Sequence, residues 1–244
     1  MAYQPPRSYL ATMETSPLIP PLRHYFGEAR IGVDWVRGRF AENRLAAAHR
    51  GDGSAVIVIP GLFTSDRRTS MLRRVLSKAG YRTYGWGLGR NMPIRSDVLD
   101  RFGARVAEVQ AQVGGPVTLV GWSLGGLIAR AYACHAPEQV AGVVTLGTPF
   151  SGDPRSNRAW QIYELVADHT VDAPPLAFDR SAKPPVPTTA IWSARDGVIS
   201  QDSARGLPSE RDGEVEIRCG HFAMASAPDA LEAVLRVLAS KQTA

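Results

Sequence analysis

A serine between two glycines is the feature of this sequence best suited to chemistry. Ser123 lies in Gly121-Trp-Ser-Leu-Gly125, between an apolar run and an amphipathic stretch. A serine that projects from a tight strand-to-helix turn can attack a carbonyl carbon, and the flanking glycines avoid a clash of Cβ atoms across the turn. The helix that follows directs free N–H groups toward a developing oxyanion. The motif predicts that Ser123 is a nucleophile.

A serine hydroxyl needs a base to remove its proton, and His221 is the histidine whose position fits that role. It follows the last apolar strand, in Cys219-Gly-His-Phe222. The carboxyl ends of parallel strands meet at one edge of a sheet, so His221 is expected beside Ser123. The other four histidines precede the sheet, lie along the helix after the serine or belong to an insertion: His24, His49, His135 and His169.

The third member of a catalytic triad is an acid that follows a strand and lies between serine and histidine in chain order. Asp196, which directly follows the fifth strand and precedes Gly197, meets both conditions. Its carboxylate would hold the imidazole in one tautomer and stabilise the imidazolium. Asp153, which also follows a strand, and Asp202, further from a strand end, are the alternatives.

Two backbone N–H groups are expected to bind the oxyanion of the tetrahedral intermediate. One belongs to Leu124, directly after the nucleophile. The other comes from the loop after the first strand, in Ile59-Pro-Gly-Leu-Phe63. Leu62 is the preferred donor there, and Phe63 is the alternative.

These residues must be positioned by the elements between them, which are short apolar strands that alternate with amphipathic helices. That alternation is typical of an α/β fold with a mostly parallel central sheet and helices on both faces. The predicted strands are 55–59, 82–86, 117–121, 140–146, 188–194 and 215–219. The predicted helices are 68–79, 97–113, 124–135 and 228–240.

A long insertion, about residues 150–187, separates the fourth and fifth strands. Loops of this length are usually functional lids or disordered linkers, and the aromatic residues of this one favour a packed cap over the site. Trp160 and Leu165 of the cap are predicted to line the substrate pocket. Phe63 and Trp122, beside the oxyanion loop and the nucleophile, are further candidates for its lining.

The sequence predicts two parts. Residues 1–50 form an arm and an amphipathic helix, and residues 51–244 form the main domain. Four prolines favour an extended arm over 1–20. Apolar residues then recur at spacings of four and three, which indicates one face of a helix. That face is expected to cover an edge or face of the sheet, although contact with a membrane surface or a second chain is the alternative. Its members are Leu22, Phe26, Ala29, Val33, Val36 and Phe40.

Composition narrows the possible functions. The chain has 244 residues, 44% hydrophobic and 21% charged, and a net charge of +5, which suits one sizeable globular domain. Its basic residues are scattered, so no nucleic-acid partner is expected. Its two cysteines, Cys134 and Cys219, form no disulfide framework or zinc-site spacing, and no metal or cofactor is expected. With no signal peptide or membrane span recognised, a cytoplasmic location is predicted.

The order of these motifs resembles the α/β-hydrolases of the bacterial lipase and esterase kind. The similarity extends over about residues 55–240 and includes the Pro60-Gly-Leu62 turn, the serine elbow, Leu146-Gly-Thr-Pro149, Asp196-Gly197 and Gly220-His221. The resemblance implies hydrolysis of a small carboxylic ester with an apolar acyl group. It also implies Ser123, Asp196 and His221 as the triad, with Leu62 and Leu124 as oxyanion donors.

Two departures from that family affect the acyl pocket rather than the triad. Pro60-Gly61 stands where the family often has His-Gly, and Trp122 stands where it often has histidine before the nucleophile. A thioesterase or acyltransferase would use the same triad, and a non-catalytic binding protein could keep the same fold. The triad residues are all present, which favours an enzyme.

Overall fold

A six-stranded sheet forms the centre of the computed structural model, which describes residues 19–173, 175 and 178–240. Every neighbouring pair of strands is parallel, and the order across the sheet is β2-β1-β3-β4-β5-β6. The strands are β1 (Ala55–Ile59), β2 (Arg82–Gly85), β3 (Val117–Trp122), β4 (Val140–Leu146), β5 (Thr188–Ser193) and β6 (Gly213–Ile217).

Helices cover both faces of this sheet, which confirms the predicted fold class. The helices of the described residues are α1 (Leu22–Gly27), α2 (Ile31–Ala48), α3 (Ser70–Ala79), α4 (Val98–Val113), α5 (Leu124–His135), α6 (Trp160–Val166), α7 (Gln201–Arg205) and α8 (Pro228–Ser240). Helices α2, α3 and α8 pack on one face of the sheet, and α4 and α5 pack on the other.

Strand β1 shows why the sheet needs helices on both sides. Successive side chains of a strand point to opposite faces, so an all-apolar strand has to be covered twice. Val56 and Val58 belong to the core under α3 and α8, whereas Ile57 and Ile59 belong to the core under α4 and α5. All five residues of β1 are buried.

The edge strand β6 lies two residues earlier than the sequence predicts, at Gly213–Ile217 instead of 215–219. Its register with β5 runs from the pair Thr189 and Gly213 to the pair Ser193 and Ile217. An edge strand is only half covered, and most residues of β6 are partly exposed. The apolar pattern therefore does not mark where it begins.

The helical segment before the sheet differs from its prediction in both continuity and orientation. It consists of α1, a single 3₁₀ turn (Glu28–Arg30) and α2. The apolar residues predicted to face the sheet are all exposed to solvent: Leu22, Phe26, Ala29, Val33, Val36 and Phe40. The expectation that this face covers the sheet is therefore wrong.

Close packing decides which face of α2 is buried. Its second half turns small residues, Gly38, Ala41 and Ala46, and Leu45 toward the core. A Cβ on Gly38 would lie 1.9 Å from the carbonyl oxygen of Ser226, so only glycine allows this approach. Periodicity identifies an apolar face but cannot show that a face of small residues packs better.

Helix α2 is also held by a buried carboxylate. Glu42, 1% exposed, accepts hydrogen bonds from Arg74 Nη2 at 2.6 Å and Lys78 Nζ at 3.0 Å, both on α3. The bond to Arg74 is the main reason why the pKa of Glu42 lies below its ordinary value.

None of the helices within the described ranges is at once long and apolar enough to cross a bilayer.

Candidate active site

Ser123 occupies the sharp turn between β3 and α5. Its backbone has φ 54° and ψ −121°, a conformation that L-residues rarely adopt. The turn is held by the Ser123 N–H, which donates to the carbonyl of Leu146 on β4 at 2.8 Å. A strained serine at this position has its hydroxyl raised from the end of the sheet.

The two glycines of the motif are required by close backbone contacts. A Cβ on Gly121 would lie 2.4 Å from the carbonyl oxygen of Gly125, and a Cβ on Gly125 would lie 2.4 Å from the carbonyl oxygen of Ile59. Either side chain would push α5 away from the strand ends. The spacing predicted from the sequence therefore has a direct steric cause.

The structure brings together the three residues predicted to form the triad. His221 Nε2 lies 3.1 Å from Ser123 Oγ, and His221 Nδ1 lies 2.8 Å from Asp196 Oδ2. The other oxygen of Asp196 accepts from the N–H groups of Val198 at 2.8 Å and Ile199 at 2.7 Å. The carboxylate is thus fixed on one side and free to orient the imidazole on the other.

The alternative acids lie elsewhere. Asp153 is exposed, and its Oδ1 accepts from the N–H of Arg155 at 2.7 Å. Asp202 is exposed on α7. Neither contacts the imidazole of His221, so Asp196 is the carboxylate suitably placed to orient it.

The electrostatics of His221 are set by two opposing effects. The side chain is 3% exposed, and this burial by itself would lower its pKa. The charge of Asp196, its hydrogen bond and the charge of Glu28 act in the other direction and prevail, so the pKa of His221 is raised above its ordinary value. Such an imidazole accepts a proton more readily than one in water.

The predicted oxyanion donors both border the cavity that contains Ser123. Leu62 and Leu124 line it, and in the part of the chain that the structure describes neither backbone N–H has a hydrogen-bond partner. The alternative donor, Phe63, has its N–H bonded to the carbonyl of Asn91 at 2.7 Å. Phe63 is therefore the less suitable of the two loop residues.

The cavity beside Ser123 has a volume of about 390 Å³. The insertion supplies much of its wall. Apolar residues line most of it, and Asp172, Asp179 and Arg180 add polar groups. The apolar wall includes Leu62, Ile94, Leu124, Leu127, Trp160, Tyr163, Val171, Phe178 and Ile199.

Only one of the four side chains predicted for the pocket lines this cavity, namely Trp160. Leu165 is on the same helix, but it is 84% exposed and does not line the cavity. Trp122 is buried in the core under α3 and α8, where its Nε1 donates to the carbonyl of His221 at 3.2 Å. Phe63 also lies outside the lining, in the loop that its N–H joins to the carbonyl of Asn91.

The cap is anchored by Tyr163, whose hydroxyl makes contacts that its place in the apolar pattern of the insertion does not indicate. Tyr163 on α6 accepts a hydrogen bond at 3.0 Å from the N–H of Ile94, in the loop after β2. Its hydroxyl also lies 2.8 Å from His169 Nε2, and His169 Nδ1 lies 2.8 Å from Asp168 Oδ1. These contacts join the cap to the main domain at the cavity wall.

A residue that sequence interpretation missed is Glu28, in the turn between α1 and α2. Its side chain is 7% exposed and bonds to the backbone of both loops that carry Asp196 and His221. Nothing local in the arginine-rich sequence around it indicates this role.

Among the described residues there is no cluster of three or more His, Cys, Asp or Glu side chains that could hold a metal ion.

Comparisons with known proteins agree with this architecture. The family model described as alpha/beta hydrolase fold matches residues 55–172. The pimeloyl-[acyl-carrier protein] methyl ester esterase of Shewanella woodyi is 30% identical over 113 residues, which cover 45% of this chain and 42% of that protein. The biotin biosynthesis bifunctional protein BioHC of Teredinibacter turnerae is 37% identical over 62 residues, or 25% of this chain and 10% of that protein.

The chain thus spans less than half the length of these curated relatives. Among solved structures, the monoacylglycerol lipase of Paleococcus ferrophilus aligns with a TM-score of 0.56 over 79% of this chain and 96% of that one. At 15% identity this likeness shows the fold alone. The parallel sheet, the serine elbow and these matches show that the chain has an α/β-hydrolase fold.

Proposed function

We propose that this protein hydrolyses carboxylic esters through an acyl-enzyme on Ser123. The observation that carries the proposal is the continuous hydrogen-bonded series from Ser123 through His221 to Asp196, with the serine at the wall of a cavity. The esterase relative from Shewanella woodyi supports the same class of reaction.

In the proposed first step, Ser123 Oγ attacks the ester carbonyl and its proton passes to His221 Nε2. Asp196 holds the proton on His221 Nδ1, so the other ring nitrogen is free to accept. The N–H groups of Leu62 and Leu124 bind the oxyanion of the tetrahedral intermediate. His221 then gives its proton to the leaving alkoxide, and the acyl group stays on the serine.

In the second step, water repeats the attack. His221 takes a proton from the water, whose oxygen adds to the acyl carbon. As the intermediate collapses to a carboxylic acid, His221 returns that proton to Ser123 Oγ, which leaves as the free hydroxyl. The mostly apolar cavity wall suits the acyl chain of the ester. The polar groups of Asp172, Asp179 and Arg180 suit a polar portion of the substrate at another part of the wall.

A series of p-nitrophenyl esters with graded acyl chains tests the proposal, together with labelling by a fluorophosphonate. The wild-type protein should release p-nitrophenol and become labelled, whereas Ser123→Ala should do neither and should keep its melting temperature. A folded Ser123→Ala variant that retains more than a tenth of wild-type turnover would contradict the assignment, since loss of a triad nucleophile costs many orders of magnitude.

The same assay separates hydrolysis from acyl transfer and thioester cleavage. Water should be the preferred acyl acceptor, so free acid should dominate the products even when an alcohol is added. A dominant transesterified product would indicate an acyltransferase, and faster turnover of the matching thioester would indicate a thioesterase. A protein that binds esters without turning them over would indicate a non-catalytic member of the superfamily.

We further propose that the segment before the sheet contacts an anionic lipid surface. Within the described residues, eight of the thirteen exposed large apolar side chains lie between positions 19 and 40. Phe26 and Phe40 are 75% and 84% exposed. A helix that exposes aromatic and aliphatic groups among arginines is suited to lie in the headgroup region of a bilayer.

The charges around these side chains favour lipid over a second protein copy. The segment exposes Arg23, Arg30, Arg37 and Arg39. Its two glutamates, Glu28 and Glu42, are buried, and its partly buried Asp34 lies 3.7 Å from Arg37. Each arginine near an anionic bilayer contributes about 1 kcal/mol to binding, whereas two copies would bring like charges together. The segment also bonds to the cap, because the Pro20 carbonyl accepts from Arg158 Nη2 at 2.7 Å.

Flotation with phosphatidylglycerol and phosphatidylcholine vesicles tests this contact. The wild-type protein should float with the anionic vesicles and be released by salt, and a Phe26→Ser, Phe40→Ser double variant should stay in solution. Leu165→Ser, at a site as exposed as Phe40 but on the cap, is the matched control and should float. Concentration-dependent dimers that the double variant cannot form, without vesicle binding, would contradict the proposal.

A further inference from the structure

One buried carboxylate joins the two loops that complete the candidate site. Glu28 Oε1 accepts hydrogen bonds from the N–H of His221 at 2.7 Å and from the N–H of Gly197 at 3.0 Å. Glu28 Oε2 accepts from the N–H of Phe222 at 2.9 Å. Gly197 directly follows Asp196, so a single side chain bonds to the acid loop and to the turn that carries the base.

The glycines of both loops make room for this contact. A Cβ on Gly220 would lie 2.7 Å from Glu28 Oε2, and a Cβ on Gly197 would lie 2.5 Å from the backbone nitrogen of Tyr25. The segment before the sheet can therefore approach only because both positions lack a side chain. Asp-Gly and Gly-His are the same dipeptides in which the proposed acid and base occur.

The charge of Glu28 is satisfied by backbone groups. Within the described ranges it has no salt bridge to a lysine, arginine or histidine side chain. The charged groups around the His221 imidazole are Asp196, Glu28 and, beyond the ring of Trp122, Arg68. Arg68 donates to the carbonyl of Phe222, and burial lowers its pKa.

We propose that Glu28 is a positioning residue of the active site, which holds the Asp196 loop and the His221 turn together and adds a second negative charge beside the imidazole. This inference rests on the proposed function, since it assigns Glu28 to the same site. Charge-assisted bonds to backbone N–H groups are strong in a buried setting. The negative charge stabilises the imidazolium that forms whenever Ser123 gives up its proton.

Glu28→Gln removes the charge and leaves the side-chain shape. It keeps one acceptor oxygen but turns an amide NH₂ group toward a backbone donor. We expect kcat to fall by about 10- to 100-fold, because small displacements of catalytic groups are costly, while KM changes by less than threefold. The pKa of His221 should fall, so the acid limb of the kcat/KM profile should move to lower pH.

Glu28→Asp separates the effect of the negative charge from the effect of side-chain length. It keeps the negative charge but shortens the side chain, so kcat should fall while the acid limb stays closer to the wild-type position than in Glu28→Gln. Glu42→Gln is the matched control, because Glu42 is also buried but bonds to Arg74 and Lys78 on α3. It should lower the melting temperature without moving the pH profile.

Titration of the ring-labelled His221 by NMR gives a reading that does not depend on turnover, with His221→Asn identifying the resonance. If the wild-type protein hydrolyses no ester, the proposed function fails, whereas a lower His221 pKa in Glu28→Gln would still support the electrostatic role of Glu28. A Glu28→Gln protein whose melting temperature falls while kcat, the acid limb and the His221 titration stay at wild-type values would overturn the proposal.

Discussion

The backbone N–H of Phe63 donates to the carbonyl of Asn91 at 2.7 Å, and this bond decides which amide of the loop after β1 remains free. Phe63 has φ 59°, so the loop turns sharply at this residue. The N–H of Asn91 donates in return to the carbonyl of Thr64 at 2.7 Å, and its Nδ2 donates to the carbonyl of Pro60 at 2.6 Å. Asn91 thereby clamps the loop on both sides of Leu62.

Removing this clamp should weaken catalysis more than binding. In Asn91→Ala the buried carbonyl of Pro60 loses its donor, which costs about 1–3 kcal/mol of stability. The Leu62 N–H is then less firmly held, and kcat should fall by about 10- to 100-fold. Asn43→Ala, at an exposed asparagine on α2, should have little effect on kcat. A destabilised Asn91→Ala enzyme with wild-type kcat would show that the clamp does not act on the oxyanion.

Asp196→Asn should reduce kcat by about 10³–10⁴-fold, because an amide at this position favours the wrong tautomer of His221. The fold should survive, since the amide oxygen can still accept from Val198 and Ile199. Asp153→Asn and Asp202→Asn, at exposed sites away from the imidazole, should remain within about tenfold of wild type. Steady-state kinetics of the three variants on one ester test this prediction. A loss of kcat by about 10³-fold or more in Asp153→Asn, instead of in Asp196→Asn, would mean that Asp153 is the acid.

The raised pKa of His221 predicts how hydrolysis depends on pH. The base works only when neutral, and a raised pKa keeps it protonated to a higher pH. The kcat/KM of the wild-type protein should therefore fall as the pH is lowered, with an apparent pKa above the ordinary value of 6.5. A profile measured from pH 5 to 9 tests this, and an acid limb below 6.5 would mean that burial outweighs the two carboxylates.

The sequence predicts the meeting of Ser123, Asp196 and His221 because each follows the end of a parallel strand. Strand ends share one edge of the sheet whatever the exact bounds of the strands. The error of two residues in the predicted start of β6 therefore does not change the prediction that His221 lies near Ser123. Glu28 is different, since it reaches His221 across 193 positions of the chain. No periodicity or turn motif reports a contact between a helical turn and two loops so distant in sequence.

The segment before the sheet shows a second limit of sequence interpretation. The spacing of its apolar residues correctly indicates one face of a helix, yet that face is exposed. The buried face is set by how closely α2 can approach its neighbours, which depends on Gly38 and the Ser226 carbonyl. For the same reason the pocket prediction included Leu165, because hydrophobicity alone cannot tell the two sides of α6 apart.

The two sides of α6 provide the sharpest test of how the cap selects substrates. Trp160 lines the cavity beside Ser123, whereas Leu165, on the same helix, is 84% exposed. Trp160→Ala should change the ranking of short against long acyl esters, because the loss of pocket contacts alters discrimination by about 1–3 kcal/mol. The smallest ester makes few of these contacts, so its turnover should be largely retained.

Leu165→Ala is the matched control for the cap, since it truncates an apolar side chain of the same helix outside the cavity. Its chain-length profile, measured as kcat/KM for a series of p-nitrophenyl esters, should be parallel to that of the wild-type protein. If α6 only supports the fold, Trp160→Ala would lower the melting temperature and reduce kcat/KM for all substrates by the same factor. Parallel profiles for both variants would therefore show that the acyl chain does not reach the Trp160 side of the cavity.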